Sequence, residues 1–256
     1  MSAIEFFEKG TGQPVVLIHG FCETARMWTD FADKLSDNFR VICPNLPEIA
    51  GSPIAGDHIT LEEVAVLLEE WLEENRIENP IVIGHSLGGY VTLALLELLG
   101  SKLKAVGLFH STAFADDQAK KDMRDRTILF LKKNGVDKFV TSFVPPLFPE
   151  DRREELSKEI DQAIEDAKSS TLDGLIAFAG AMRDRKDRLD VLKDYPGSKL
   201  LIAGTEDGAV KIEASRAQKE AFTHYFELEG VGHMGMMERK EETLNLVREF
   251  ALSCLS

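Results

Sequence analysis

Cysteine is scarce in this chain of 256 residues, and its placement follows no disulfide or zinc pattern. Cys22, Cys43 and Cys254 are odd in number, widely spaced and without a C-x-x-C pair. We therefore predict neither a structural disulfide nor a zinc site, and this cysteine usage is typical of a reducing compartment. The first ten residues mix acidic and aromatic side chains and lack the pattern of a secretory signal, so we expect a cytoplasmic location.

Positive charge and long apolar segments are also limited. Against 44 Asp and Glu there are 30 Lys and Arg, a formal net charge of −14. A chain with this excess of negative charge lacks the positive surface typical of a nucleic-acid-binding protein and has weak affinity for anionic membranes. The longest apolar run, residues 81–100, is near membrane-spanning length but contains His85, Ser86 and Glu97. We expect neither a nucleic acid nor a membrane as a partner.

Apolar strand patterns alternate with helical patterns along most of the chain. This alternation predicts an α/β fold, with a mostly parallel central sheet and helices on both faces. The 44% of apolar residues is enough to build the core of a large domain. Strands are predicted near residues 3–8, 15–18, 40–43, 81–84, 103–109, 199–203 and 223–228, and helices near residues 24–35, 60–75, 87–99, 211–221 and 241–253.

A G-x-S-x-G motif lies within GHSLGG, residues 84–89, with Ser86 at its centre. A β-branched apolar run precedes the motif and a helical pattern follows it. A sharp turn from strand to helix at this point would hold the Ser86 hydroxyl at the edge of the sheet as a nucleophile. The alternative is that Gly88 and Gly89 only allow a helix to pack closely on a strand.

A serine nucleophile needs a base, and that base needs an acid. His233 lies between glycines in GVGHMG, after the last predicted strand, although a packed core histidine is the alternative. Asp207 lies in GTEDG, at the end of the preceding strand, where it could instead only form an Asx-type turn. We predict Ser86, Asp207 and His233 as the catalytic residues.

The chain order Ser86, Asp207, His233, each on a loop after an apolar run, resembles that of the α/β-hydrolase family. The resemblance covers nearly the whole chain and implies a serine hydrolase that needs no metal and no organic cofactor. It also implies an oxyanion hole formed by the backbone N–H groups of Phe21, in the segment HGF, and of Leu87, after the nucleophile.

The alternation of strands and helices stops between residues 114 and 195, where charge is dense and apolar residues recur at helical spacing. This all-helical insertion resembles a hydrolase cap, over a core of residues 1–113 and 196–256. Apolar residues of the cap are candidates for an acyl or alcohol pocket, with cap core as the alternative for each of them. These candidates are Phe143, Val144, Leu147, Phe148 and Phe178.

One loop departs from the family pattern. Relatives usually continue after the third strand with something like D-x-P-G-x-G-x-S, whereas residues 45–53 read NLPEIAGSP. Glu48 and Ala50 replace two glycines, so we expect a different path for this loop. Glu48 either places a carboxylate near the substrate or points into water, and an engineered loop is a third explanation.

Together these residues predict a carboxylesterase that acts on small to medium esters through an acyl-enzyme. A carbon–carbon bond hydrolase, an enol-lactonase and a perhydrolase with the same triad remain alternatives, because fold and triad do not separate them. So do a non-enzymatic ligand receptor or signalling protein and a redesigned hydrolase scaffold. The natural substrate and the oligomeric state stay open.

Overall fold

A seven-stranded sheet lies at the centre of the computed structural model, which describes residues 4–47 and 58–255. Its strands are β1 (Phe6–Lys9), β2 (Pro14–Ile18), β3 (Arg40–Pro44), β4 (Ile81–His85), β5 (Ala105–Phe109), β6 (Ser198–Gly204) and β7 (His224–Leu228). The strand order is β1-β3-β2-β4-β5-β6-β7, with β1 antiparallel to β3 and all other neighbours parallel. The predicted mostly parallel sheet is confirmed. Glu48, on the atypical loop, lies outside the described residues.

Helices cover both faces of this sheet. They are α1 (Thr29–Leu35), α2 (Leu61–Glu74), α3 (Leu87–Leu99), α4 (Gln118–Phe143), α5 (Ser157–Ala167), α6 (Leu172–Asp184), α7 (Leu189–Asp194), α8 (Ile212–Gln218), α9 (Gly235–Glu238) and α10 (Lys240–Ser253). In the part of the chain that the structure describes, none of the helices combines the length and the apolar character needed to cross a bilayer. Thr60 and Glu63 form a reciprocal capping box at the start of α2.

The core lies where the central strands meet the helices. Strands β4 and β5 are buried along their whole length, because helices shield both faces of a parallel sheet. Their sequences are correspondingly continuous apolar runs rather than alternating patterns. The three cysteines are buried in this core and unpaired. At the first predicted helix, a 3₁₀ turn over Ala25–Trp28 precedes α1, and the Thr24 hydroxyl caps it by accepting from the Arg26 N–H.

The segment between β5 and β6, residues 110–197, contains helices and no strand, and all of it is described. Its longest element, α4, is broken at Gly135, whose φ of 77° is strained for any residue with a side chain. Beyond the break, Phe139 and Val140 are buried against the rest of the protein. Helix α4 thereby reaches from the start of the insertion to the region above the sheet edge that carries Ser86.

Candidate active site

Ser86 occupies a strained turn between β4 and α3. Its backbone adopts φ 49° and ψ −114°, a conformation that costs energy and persists only where neighbours enforce it. The Ser86 N–H donates to the Phe109 carbonyl at 2.9 Å, and the Ser111 hydroxyl donates to the Ser86 carbonyl at 2.8 Å. The turn is therefore fixed by β5 and the residues that follow it.

The glycines of the motif allow close packing, which leaves a nucleophile at Ser86 possible. A Cβ at Gly88 would lie 2.4 Å from the Ile18 carbonyl oxygen, and one at Gly84 would lie 2.1 Å from the Gly88 carbonyl. Neither position tolerates a side chain, because both contacts are with backbone atoms. The glycines bring α3 against β2 and β4, and Ser86 stays half-buried at the tip of the turn.

Asp207 and His233 form a buried hydrogen-bonded pair. His233 Nδ1 lies 2.8 Å from Asp207 Oδ2, and Asp207 Oδ1 accepts the N–H groups of Ala209 and Val210, each at 2.8 Å. Both carboxylate oxygens are thus fixed in direction. Because an ionised carboxylate only accepts, His233 carries its proton on Nδ1, which leaves Nε2 as the basic nitrogen.

The two groups shift each other's pKa. Burial alone would raise the pKa of Asp207, but the His233 charge and the hydrogen bonds from His110 and His233 hold it well below its usual value. Burial alone would lower the pKa of His233, but the Asp207 charge and hydrogen bond outweigh that effect and raise it above 6.5. The pair therefore combines an ionised acid with a strengthened base.

Four hydrogen bonds hold the backbone around His233. Its N–H donates to the Leu147 carbonyl at 2.8 Å, and His85 Nε2 donates to its carbonyl at 2.9 Å. The buried Glu238 carboxylate accepts the N–H groups of the two flanking residues, Gly232 at 3.0 Å and Met234 at 3.1 Å. Burial raises the pKa of Glu238. The loop that carries the base is consequently braced from both sides.

A second histidine contacts the same acid. His110 Nδ1 lies 3.3 Å from Asp207 Oδ2, and burial lowers the pKa of His110 to about 4. His110 is therefore neutral near pH 7 and donates through Nδ1–H. Its Nε2 has no partner among the described residues and faces Gly235, where a Cβ would lie 2.4 Å away. The unusual φ of 49° at His110 places this ring at the acid.

The segment HGF, which is predicted to contribute to the oxyanion hole, is held by the buried pair of Glu23 and His85. Glu23 Oε2 accepts the Gly20 N–H and lies 2.9 Å from His85 Nδ1. Burial alone would raise the pKa of Glu23, but the nearby His85 and the Gly20 N–H outweigh it and lower it. His19 also fixes this segment, because Nδ1 donates to the Gly20 carbonyl and Nε2 accepts the Leu46 N–H, both at 2.9 Å.

The two residues predicted to form the oxyanion hole, Phe21 and Leu87, both lie close to Ser86 in the fold: Phe21 borders the same cavity and Leu87 follows Ser86 in the chain. Leu87 is the first residue of α3, so its N–H has no acceptor within the helix. Phe21 lines the same cavity as Ser86, and its ring packs edge-on against Phe139 and Phe143 of α4 at 6.1 and 5.7 Å. The assignment of both N–H groups to an oxyanion stays a prediction.

Ser86 and His233 open into one cavity of about 580 Å³. Of the residues predicted to line a pocket, Phe143 and Leu147 border this cavity. Val144 and Leu147 border a separate small void of about 20 Å³. The structure differs from the sequence prediction at Val144, Phe148 and Phe178, which are buried and do not line the cavity that Ser86 borders.

Four polar residues of the site had not been predicted from the sequence. Glu23 follows the segment HGF by two residues, His85 lies inside the motif GHSLGG, and Glu238 follows His233 by five residues, but no spacing rule connects any of them to the triad. His110 gives no local signal either. All four have a titratable side chain that is buried, and burial is visible only in the folded chain.

His110, Asp207 and His233 also bring nitrogen and oxygen atoms within 4.8 Å of one another, a spacing that metal ligands share. A metal bound there would occupy Asp207 Oδ2 and His233 Nδ1, which already hydrogen-bond to each other. All three side chains are almost completely buried, and two of them form the acid–base pair. The Asp207-bound His233 and the Ser86 side chain border the same cavity.

Comparison with known proteins places these features in a family. The model of the alpha/beta hydrolase family matches residues 15–246, nearly the whole chain. A thermophilic esterase from Thermogutta terrifontis, solved with malate bound, superimposes with a TM-score of 0.92 at 25% identity, covering 99% of this chain and 94% of that one.

Relatives found by sequence match this chain over only part of their own length. Lipase 3 of Moraxella sp. (strain TA144) is 25% identical over 251 residues, which cover 94% of this chain and 78% of the lipase. The dihydrolipoyllysine-residue acetyltransferase component of the acetoin cleaving system from Pseudomonas putida is 26% identical over 242 residues. That match covers 93% of this chain but 64% of the acetyltransferase component.

Proposed function

Because the chain belongs to the alpha/beta hydrolase family, we propose that it is a serine hydrolase that cleaves small to medium carboxylic esters through an acyl-enzyme. The observation that carries the proposal is the convergence of Ser86, on its strained turn, and the Asp207-bound His233 on one cavity. The similarity to an esterase and to a lipase supports the choice of an ester as substrate.

The proposed reaction assigns one role to each of these groups. Ser86 Oγ attacks the ester carbonyl carbon while His233 Nε2 accepts the hydroxyl proton, and the carbonyl oxygen becomes an oxyanion. The N–H groups of Phe21 and Leu87 stabilise that oxyanion, a contribution of about 2.7 to 4 kcal/mol for each donor removed in a comparable enzyme.

The tetrahedral intermediate then collapses. The bond to the alcohol oxygen breaks, the alcohol takes the proton from His233 Nε2, and an acyl group remains on Ser86. Water attacks the acyl carbon, giving its proton to Nε2, and the acid leaves as the Ser86 hydroxyl is restored. Asp207 keeps the imidazole in the required tautomer and stabilises its protonated form throughout.

The shape of the cavity supports small or medium acyl chains. It is partly enclosed by Phe143 and Leu147, from the helical insertion that we assign as a cap over residues 114–195. Each buried methylene contributes about 0.8 kcal/mol until the enclosed space is full. Specificity constants should therefore rise over the first few acyl carbons and fall beyond roughly eight. A cytoplasmic location is part of the proposal, supported by the three buried unpaired cysteines.

Labelling with a fluorophosphonate tests the nucleophile. We expect one adduct by intact-mass analysis, mapped to the peptide that contains Ser86, and none in Ser86→Ala. The exposed Ser101 provides a matched control, because Ser101→Ala also removes a serine hydroxyl but at a residue that does not border the cavity. An adduct on another serine would disprove the assignment of Ser86.

Turnover of p-nitrophenyl esters tests whether the site is catalytic. We expect steady multiple turnover with acetate to octanoate esters and loss of several orders of magnitude in Ser86→Ala, since the triad acts as a unit. Labelling without turnover would favour a receptor. Preference for long triglycerides with activation at an oil–water interface would contradict the enclosed site.

A further inference from the structure

The lining of the cavity carries a charge opposite to that of the whole chain. The protein has a formal net charge of −14, yet four basic side chains and only two acidic ones border this cavity. The basic residues are Lys120, Arg124, Arg126 and Lys211, and the acidic ones are Glu23 and Asp117.

Two of these six charged side chains, Arg124 and Glu23, are paired with charged or titratable neighbours, and three of the remaining four are basic. Arg124 Nε lies 3.1 Å from the Asp116 carboxylate, and Glu23 is bound to His85. Asp117 caps α4 by accepting the Lys120 backbone N–H at 2.8 Å. The ammonium and guanidinium groups of the remaining three, Lys120, Arg126 and Lys211, form no ion pair with any described residue.

These three cations come from two separate parts of the chain. Ala119, Met123 and Arg126 are spaced i, i+4 and i+7, so they share the face of α4 that borders the cavity, and Lys120 lies beside them. Lys211 approaches from the loop before α8, next to the cavity-lining Gly208 and Ala209. Positive charge without an acidic partner among residues 4–47 and 58–255 therefore lies on two sides of one opening.

Two of the three cations lie nearer to solvent than Ser86 and His233, and Lys120 is half-buried like Ser86. Arg126 and Lys211 are exposed, whereas His233 is buried and Ser86 is half-buried. Apolar side chains of Met123, Phe143 and Leu147 border the same space. A ligand that reaches from Ser86 to the opening would thus meet an apolar wall first and positive charge beyond it.

We propose that the ester substrate carries an anionic group, a carboxylate or a phosphate, several bonds away from the scissile carbonyl, and that Lys120, Arg126 and Lys211 bind it. Fixed positive charge at the mouth of a cleft with apolar walls attracts such a ligand and orients it with its neutral ester end inward. This inference rests on the proposed function, because it names the substrate class of the same site.

A matched pair of esters tests the inference on the wild-type protein. Monomethyl adipate and methyl hexanoate have the same length and differ in a terminal carboxylate against a methyl group. At low ionic strength we expect kcat/KM for the anionic ester to exceed that for the neutral one by about fivefold or more, corrected for their alkaline hydrolysis rates. The ratio should fall toward one in about 0.5 M NaCl, because salt screens exposed charges.

Substitution of the cations locates the binding group. Lys120→Gln, Arg126→Gln and Lys211→Gln should each lower the ratio of the two specificity constants about twofold to fivefold, the range of an exposed ion pair. Lys132→Gln is the control, because Lys132 is an exposed cation of the same helix that does not border the cavity. The ratio of the two specificity constants should be the same in Lys132→Gln as in the wild type.

The possible results separate the two proposals. Equal or better hydrolysis of methyl hexanoate, with a ratio that the three variants do not change, would overturn the anionic substrate and leave the esterase intact. Failure to cleave either ester, together with no fluorophosphonate adduct on Ser86, would reject the proposed function as well. A phosphorylated ester of matched length, measured in the same way, decides between carboxylate and phosphate, and preference for either supports the inference.

Discussion

Two parts of the site are held by different kinds of interaction. We call the loops that carry Ser86, Asp207 and His233 the floor, and helix α4 the roof. On the floor, Ser86, Asp207 and His233 are fixed through backbone N–H and carbonyl groups and buried carboxylates. On the roof, the rings of Phe139 and Phe143 in α4 stack at 5.0 Å, and both are edge-on to Phe21. The floor uses directional bonds among buried groups, and the roof uses apolar contact and exposed charge.

We therefore expect the floor to determine the rate of the reaction and the roof to determine which ester is preferred. A buried donor or acceptor that loses its partner costs about 1 to 3 kcal/mol, so the floor tolerates little change. Apolar contacts lack direction, and exposed ion pairs contribute about 0 to 1 kcal/mol, so the roof can vary in sequence while the floor stays fixed. Substitutions in the floor should therefore reduce kcat for every ester, whereas those in the roof should change which ester is preferred.

The largest effect is expected at the acid. Asp207→Asn keeps the shape of the side chain but offers an amide N–H or a neutral oxygen to His233, which favours the wrong imidazole tautomer. We expect kcat to fall by up to about 10⁴, as in the equivalent change of another triad enzyme. Steady-state kinetics with a p-nitrophenyl ester measures this, with circular dichroism to check that the variant is folded.

Glu206 provides the control for that substitution. It is adjacent to Asp207 in the same turn but exposed, so Glu206→Gln should retain near-normal kcat. Normal activity in Asp207→Asn together with a large loss in Glu206→Gln would transfer the role of acid to Glu206.

A smaller loss should follow removal of the brace on the His233 loop. Glu238→Ala leaves the N–H groups of Gly232 and Met234 without their acceptor, which frees the loop. We expect kcat to fall about tenfold to a hundredfold, since misplacement of a catalytic group by about 1 Å costs on that order. Glu238→Gln should recover most of the activity, because an amide oxygen at the Oε1 position still accepts from both groups.

Glu242→Ala is the matched control, an exposed glutamate on the following helix. If Glu238→Ala and Glu242→Ala had equal kcat, or if Glu238→Gln failed to recover activity in a folded protein, the brace would have no catalytic role.

The sequence was sufficient to predict the elements whose signals are local. The order of strands and helices and the turn at Ser86 each depend on residues close together in the chain. The pairing of Asp207 with His233, 26 residues apart, was predicted from the chain order of a family resemblance and from loops that end neighbouring strands. Parallel strands bring such loops to one edge of the sheet.

The remaining features depend on contacts between distant segments. His110 reaches Asp207 across 97 residues, and His85 reaches the His233 carbonyl across 148. In the insertion, an apolar residue at helical spacing can face either the cavity or the helices around it. Phe143 and Phe178 look alike in the sequence, yet one borders the cavity and the other is fully buried.

The pH dependence of kcat/KM tests the electrostatics of the floor. His233 accepts the Ser86 proton only when it is neutral, and Asp207 raises its pKa above 6.5. With a neutral ester, kcat/KM should therefore fall as the pH drops through a value above 6.5, and about tenfold for each further pH unit. Nitrogen-15 NMR should show His110 neutral down to a pH of about 4. A kinetic pKa below 6.5 would mean that Asp207 does not act on His233 as described.

The smallest effect is expected on the roof, at Phe143. Its ring stacks on Phe139 at 5.0 Å and packs against Phe21 at 5.7 Å, and such aromatic pairs contribute about 0.5 to 1.5 kcal/mol each. Phe143→Ala should lower kcat/KM for short acyl esters by roughly threefold to tenfold, mainly through KM, and move the preferred acyl length upward because the cavity grows. Leu129→Ala, at a side chain of the same helix that is 67% exposed, should leave the acyl-length profile unchanged. A fall in kcat of the same factor for every chain length would show instead that the roof positions the reacting groups, and the separation between floor and roof would not hold.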